Sequence, residues 1–295
     1  MAKAQRFGSA HTGQKLEKLE EYLRAYSTAL KNQGFELVYF DAFAGAGDVQ
    51  IADADTTLLD GIDDYTPFIH GSAQRALSFK TAFNRYVFVD AKSANIEALN
   101  ALRDQNSDIA DRVVIKKGDA NSELLDFCRS TNWKKTRAVV FLDPYGNQVK
   151  WETVEALAAT KAIDLWYLFP AGLGVYRQIS KKRGVHGTHE RSLDDLFGTA
   201  EWREAFVETV RVTDLFGSRE EQEKKATVES VTRFMADRLK TVFGGGVLDE
   251  WLPLGSRKIH MYSLMFAWAN PDEKAKLAGK LALAVLRSDK GGGPK

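Results

Sequence analysis

The residues best suited to chemistry lie at the end of an apolar run, Val139-Val140-Phe141-Leu142-Asp143-Pro144-Tyr145-Gly146. Asp143 and the Pro144 carbonyl are adjacent acceptors that can hold an NH₂ group. Proline fixes the turn and withholds a competing N–H. Tyr145 can stack on a base removed from its duplex or loop. An exocyclic amine is a poor nucleophile because its lone pair is delocalised into the ring. Two acceptors on its protons would shift that pair outward. An Asp-Pro-Tyr-Gly tetrapeptide is also good turn composition in its own right.

Three more carboxylates end apolar runs in the same way. Val38-Tyr39-Phe40-Asp41-Ala42-Phe43-Ala44-Gly45-Ala46-Gly47 closes on an acid and turns through two glycines, which let the backbone approach a ligand closely. A nicotinamide dinucleotide site would need glycine or alanine three positions after Gly47, where Gln50 stands, and no Gly-Lys-Ser/Thr follows for a P-loop. Tyr86-Val87-Phe88-Val89-Asp90 ends on an acid placed to accept from two ribose hydroxyls. Val113-Val114-Ile115-Lys116-Lys117 leads into Gly118-Asp119-Ala120. Each acid alone could be a helix cap. At the ends of three successive runs, Asp41, Asp90 and Asp119 together describe a site for a cationic nucleoside.

The elements that must position them follow from the apolar pattern. Short β-branched and aromatic runs at Leu37–Phe40, Tyr86–Val89, Val113–Ile115, Val139–Leu142 and Ile163–Phe169 suit strands buried on both faces of a parallel sheet. Helical stripes fill the gaps: Leu16 to Leu30, Ile96 to Leu102, Val154 with Leu157, Trp202-Phe206-Val210, and Val228 to Leu239. Val247–Leu254 and Met261–Trp268 read as an antiparallel hairpin turning near Gly255 and Ser256. A last helix is expected over Asp272–Arg287, with Pro271 near its start. This alternation predicts a doubly wound α/β sheet, whose ligands bind beyond the carboxyl ends of the strands. Two polar segments, 48–70 and 176–195, follow strand ends and read as insertions in a single domain over residues 1–290. Residues 291–295 read as a flexible tail.

Composition narrows the function. The chain has 295 residues, with 44% hydrophobic and 27% charged residues and a net charge of +1. Near-neutral charge argues against a protein that coats long nucleic acid, though not against a local basic patch. The single Cys128 excludes a disulfide framework and a four-cysteine zinc site. No run of about eighteen apolar residues is present, so no membrane span is expected. The first twenty residues carry no signal-peptide stretch, and a cytoplasmic location is expected. Lys181-Lys182-Arg183 with His186, His189 and Arg191 could meet phosphates at a substrate mouth or form a solvated loop. The two histidines lack the partners a metal needs, and no metal is expected. Tyr176 could line a target pocket. No Gly-x-Ser-x-Gly elbow is present.

The Asp41-x-Phe43-x-Gly45-x-Gly47 turn resembles motif I of S-adenosylmethionine (SAM)-dependent methyltransferases. That resemblance implies that the turn through Gly45 and Gly47 passes under the methionine part of SAM, with Phe43 among the cofactor-binding residues. It also implies that Asp41 anchors the ammonium, and that Asp119 beside Ala120 meets the adenine amine. Asp143-Pro144-Tyr145 is similar to the Asp/Asn-Pro-Pro-Tyr motif of amino-methyltransferases, and closer to the Asp-Pro-Phe-Gly form of tRNA guanine-N2 methyltransferases. Here tyrosine replaces the second proline and glycine follows, which leaves the target atom open. Most of the chain resembles the three-Cys-motif partner proteins. The resemblance extends from Lys15-Leu16-x-x-Leu19 through Gly71-Ser72, Gly118-Asp119-Ala120-Asn121 and Phe141 to Gly146 with Trp151, and on to Leu168-Phe169-Pro170. It implies a Rossmann-like class I methyltransferase fold, with a mainly parallel seven-stranded sheet and a C-terminal antiparallel hairpin. It also implies SAM as cofactor and a separate three-cysteine protein as partner. The expected activity is methylation of an exocyclic amine in an RNA or DNA base. A non-catalytic SAM-binding subunit, or methylation of a protein or small molecule, remain the alternatives.

Overall fold

The structure, a computed structural model, describes residues 10–45, 72–78, 83–179, 187–214, 217–256 and 259–288. Helix α1 (Ala10–Leu30) leads into strand β1 (Glu36–Asp41). The next elements are α2 (Ser72–Ser78), β2 (Arg85–Asp90), α3 (Ser93–Gln105), β3 (Val113–Lys117) and α4 (Ala120–Ser130). Then come β4 (Thr136–Leu142), α5 (Trp151–Ala159) and β5 (Ile163–Phe169). The five strands expected from their apolar runs all form. β5 is buried along its whole length, as a strand covered on both faces must be.

After β5 the chain makes one π-helical turn (Ala171–Val175), then forms α6 (Thr188–Phe197) and the short α7 (Trp202–Phe206). A separate antiparallel pair, β6 (Val207–Asp214) and β7 (Gly217–Lys224), precedes α8 (Val228–Lys240). The expected helical stripe Trp202-Phe206-Val210 is therefore corrected: the helix stops at Phe206 and Val210 lies in β6. The reason is local, since Val207-Glu-Thr-Val-Arg-Val-Thr alternates β-branched residues that favour extended backbone.

The chain closes with β8 (Gly246–Val247), β9 (Leu252–Ser256), β10 (Ile259–Trp268) and α9 (Lys276–Arg287), the helix being preceded by a single 3₁₀ turn. The predicted hairpin forms, but its first arm is split. In the segment between β8 and β9, Asp249 bonds to Lys240 and Glu250 pairs with Arg287.

The central sheet runs β3-β2-β1-β4-β5-β10-β8, with β9 also paired to β10, giving eight strands. β1 to β5 are mutually parallel, and β10 lies antiparallel to β5. The order reverses between β1 and β4. This is the mainly parallel, Rossmann-like doubly wound sheet with an antiparallel hairpin expected from the sequence, with eight strands in place of the expected seven because the first arm of the hairpin forms two short strands, β8 and β9. One face packs under α1, α2, α3 and α9 through Tyr22, Leu77, Leu99 and Ala282. The other packs under α4 to α8 through Leu124, Leu157, Phe197 and Met235. The second half of segment 176–195 is thus α6, docked on the fold. At its end Gly198 takes φ +62°, and a Cβ there would stand 2.1 Å from the Trp151 ring, so only glycine lets α6 close onto α5. Segment 48–70, residues 181–186 and the 291–295 tail lie outside the described residues. No helix among the described residues is long and apolar enough to cross a membrane.

Candidate active site

Parallel register brings the predicted acids to one edge. Asp41 is the last residue of β1 and stands opposite Phe88 of β2 and Phe141 of β4. The Ala42 N–H donates to the Phe141 carbonyl (3.2 Å), and the Ala44 N–H donates to the Val89 carbonyl (2.9 Å). The first turn after β1 is therefore sewn to both neighbouring strands. Gly118 N–H donates to the Asp90 carbonyl (3.1 Å), which ties the end of β3 to the end of β2. Asp41, Asp90, Asp119 and Asp143 all lie at the carboxyl edge, with β1 and β4 flanking the reversal of strand order.

Asp41 is fully buried. Its Oδ1 accepts from the Phe43 N–H (3.2 Å), and its Oδ2 has no hydrogen-bond partner among the described residues. Burial lifts its carboxyl to about 6, with the nearby Asp90 charge adding to the rise. The Ser72 hydroxyl and the Phe43 amide counter part of it. Tyr39 lies two residues earlier on the same face of β1. Burial raises its phenol well above the usual value, and the Asp41 and Asp143 charges add to the rise.

Asp90 is half-buried. Its Oδ1 accepts from the Lys92 N–H (2.7 Å) and its Oδ2 from the Asn95 side chain (2.9 Å), which fixes the carboxylate plane. Asp119 is exposed and caps α4, its Oδ1 accepting from both the N–H and the hydroxyl of Ser122. The cap role weighed for Asp119 is thus present, and both contacts fall on one oxygen. Ala120 is buried at the first position of α4. Phe43 is half-buried against the core, and the Gly45 N–H donates back to the Phe43 carbonyl (2.9 Å) in a tight turn. Gly47 lies outside the described residues.

The segment after β4 forms a braced loop. Asp143 is half-buried, Pro144 is buried and the Tyr145 side chain is 41% exposed. The Tyr145 N–H donates to the Gln148 Oε1 (3.0 Å), and the Gln148 N–H donates to the Gly146 carbonyl (3.0 Å). Gly146 takes φ +75°, a conformation that favours glycine, and so allows the tight turn that brings Gln148 back to Tyr145. Asn147 Nδ2 reaches Gln178 Oε1 (3.1 Å) and Ser192 Oγ (3.3 Å), anchoring the loop to the segment after β5 and to α6. Tyr176 is half-buried, with Lys224 Nζ 3.4 Å from its ring centroid.

The sequence reading gave Asn147 and Gln148 no part in this site, and it named Asn121 only as a member of a block in the family resemblance. Their signal was position only: Asn121 directly follows Asp119-Ala120, and Asn147-Gln148 directly follow Tyr145-Gly146. Lys181, Lys182, Arg183 and His186 lie outside the described residues, and His189 is exposed at the start of α6.

A SAM-like molecule fits the donor set on one specific count. The enclosed, unpartnered Asp41 Oδ2 is an acceptor that an ammonium group would satisfy. Asp90 would hold the ribose and Asp119 the adenine amine.

No protein-family model matches the chain, and no curated protein matches it. Among solved structures it is similar to a Legionella pneumophila protein of family DUF519, at 15% identity and TM-score 0.38, over 81% of this chain and 94% of that one. It is similar to a Bacillus cereus O-methyltransferase in complex with SAH at 10% identity and TM-score 0.34, over 70% of this chain and 79% of that one. A Geobacter sulfurreducens methyltransferase aligns at 13% identity and TM-score 0.30, over 77% of this chain and 91% of that one. At such identities the fold assignment rests on the strand order, and the chemistry has to be read from this chain's own carboxylates.

Proposed function

We propose that this chain transfers the methyl group of SAM to an exocyclic amine of a nucleic-acid base. The observation that carries the reading is the parallel register, which sets Asp41 at the end of β1 opposite Phe141 of β4, two residues before Asp143, at the place where the strand order reverses. A cationic ligand on one side and a carboxylate acceptor on the other then share one strand edge. When bound, SAM supplies a methyl group already activated by its sulfonium. Asp41 and Asp90 hold and orient that ligand. Asp143 and the Pro144 carbonyl accept from the incoming NH₂ group, and the exposed Tyr145 ring stacks on the base. Positioning is the main contribution, as suits an in-line displacement. As nitrogen bonds to the methyl carbon, the carbon–sulfur bond would break with its electron pair left on sulfur as a neutral thioether, and Asp143 would take the surplus proton from nitrogen and release it to solvent.

The resemblance to the three-Cys-motif partner family belongs with this reading. A protein carrying a three-cysteine motif would be the partner in substrate delivery.

Asp143→Ala tests the assignment. Tritiated-methyl transfer to an RNA or DNA pool should fall by about 100-fold or more, the scale of losing one positioning group. Calorimetric affinity for SAM should change little. Unchanged transfer would remove Asp143 from the chemistry. Transfer only to protease-sensitive material would move the substrate to a protein.

A further inference from the structure

We propose that Asn121 is a positioning residue that couples cofactor binding to the order of the Asp143–Lys150 loop, an inference that rests on the reading above. Asn121 is buried in the first turn of α4, two residues after Asp119. Its side chain turns to the loop after β4. Nδ2 donates to the Gln148 carbonyl (2.9 Å). Oδ1 accepts from the Lys150 N–H (2.9 Å) and from the Thr153 hydroxyl (2.9 Å). The amide thus uses one donor and both acceptor lone pairs on the loop and on the first turn of α5.

The Gln148 whose carbonyl Asn121 holds also accepts, through its side chain, the Tyr145 N–H (3.0 Å). The contacts therefore run from the α4 cap to Asn121, to Gln148, to the backbone of the exposed aromatic. On the opposite side the loop is held by Asn147 to Gln178 and Ser192. Asp119 is the cap of the turn that carries Asn121, since its Oδ1 accepts from Ser122. A ligand amine on the Asp119 carboxylate would quieten that turn, and Asn121 would pass the loss of motion to the Tyr145 loop. Rigidifying one site lowers the ordering cost at the next, so the two bindings become cooperative without a change of shape.

Hydrogen exchange of peptides covering residues 143–150, in the full chain with and without S-adenosylhomocysteine, tests this. In the wild type the ligand should slow exchange of the loop. In Asn121→Ala the ligand should bind with nearly unchanged affinity by calorimetry, while the slowing disappears. In turnover the same variant should lose kcat and keep its KM for SAM. Thr153→Val keeps shape and deletes one donor to Oδ1; it should weaken the slowing, and it serves if Asn121→Ala does not fold. In the wild type the ligand should also raise affinity for a single-stranded oligonucleotide by about fivefold or more. Loop protection that survives intact in these variants overturns the coupling. So does a wild type that binds the ligand without any change in the loop, and that result leaves the proposed function standing. A wild type that fails to bind the ligand overturns the function itself, and the coupling with it.

Discussion

Asp41 is a carboxylate taken wholly out of water, and its Oδ2 makes no hydrogen bond among the described residues. Its carboxyl is held at about 6, so near that pH a large share carries a proton. An ammonium group on Oδ2 favours the ionised form and expels the proton. Binding of S-adenosylhomocysteine at pH 6 should therefore release protons, seen as a dependence of the calorimetric enthalpy on buffer ionisation. Affinity should rise between pH 5 and 7, as the carboxylate forms. Asp41→Asn should remove both effects and weaken binding by about 10- to 100-fold, the scale of a charge-assisted hydrogen bond. The Asp41–Gly45 turn was legible in the sequence, because acid, aromatic and glycine occur at the spacing the turn needs. The braces on the neighbouring loop were not. Asn121 and Asn147 are ordinary polar residues, and what they do is set by partners that lie 27 or more positions away along the chain.

At the level of elements, α8 shows how a local signal and a tertiary role coincide. The Thr227 hydroxyl accepts from the Ser230 N–H (3.0 Å), and the Ser230 hydroxyl accepts from the Thr227 N–H (2.9 Å), a reciprocal cap. One turn in, the Thr232 hydroxyl donates to the Val228 carbonyl (2.9 Å), so its contact with Ser263 of β10 (2.8 Å) has Ser263 as donor. The His260 Nε2 must then donate to Ser263 Oγ (2.9 Å), which fixes the ring's tautomer by proton accounting. Thr227→Ala should cost about 1 kcal/mol and lower Tm by about 2–4 °C in thermal unfolding. The cap lies apart from the carboxylates, so the proposed methyl transfer, assayed at 25 °C, should be unaffected. The β6–β7 pair was hidden from sequence reading because Trp202, Phe206 and Val210 recur at helical spacing. That periodicity cannot tell where a helix yields to an alternating β-branched run.

For the whole molecule, the attachment of α1 across the sheet carries a pH signature. The Tyr22 hydroxyl donates to Asp164 Oδ2 (2.7 Å), joining α1 to the start of β5, and the Tyr22 ring packs on Trp166 and Phe266. Burial lifts the Asp164 carboxyl to about 7, with the Tyr22 hydrogen bond and the Arg137 charge opposing the rise. The folded chain thus holds this proton more tightly than the unfolded chain does. Its contribution to stability is complete below the unfolded value near 3.8 and is lost as pH rises through about 7. Asp164→Asn keeps an acceptor for Tyr22 and removes the buried charge. It should raise Tm above the wild type at pH 8, with the two converging near pH 4, in thermal scans across that range.

The sequence by itself determined the alternation of strands and helices, the carboxylates that end four strands, and the aromatic that follows the last of them. Those features depend on residues adjacent in the chain, where apolar period, turn chemistry and acid placement act over a few positions. Only the tertiary structure decided that β10 lies between β5 and β8, that the ends of β1 and β4 stand side by side, and that Asn121 holds the loop after β4. Strand pairing makes neighbours of residues a hundred positions apart, and which partner a buried polar group finds depends on how the faces pack.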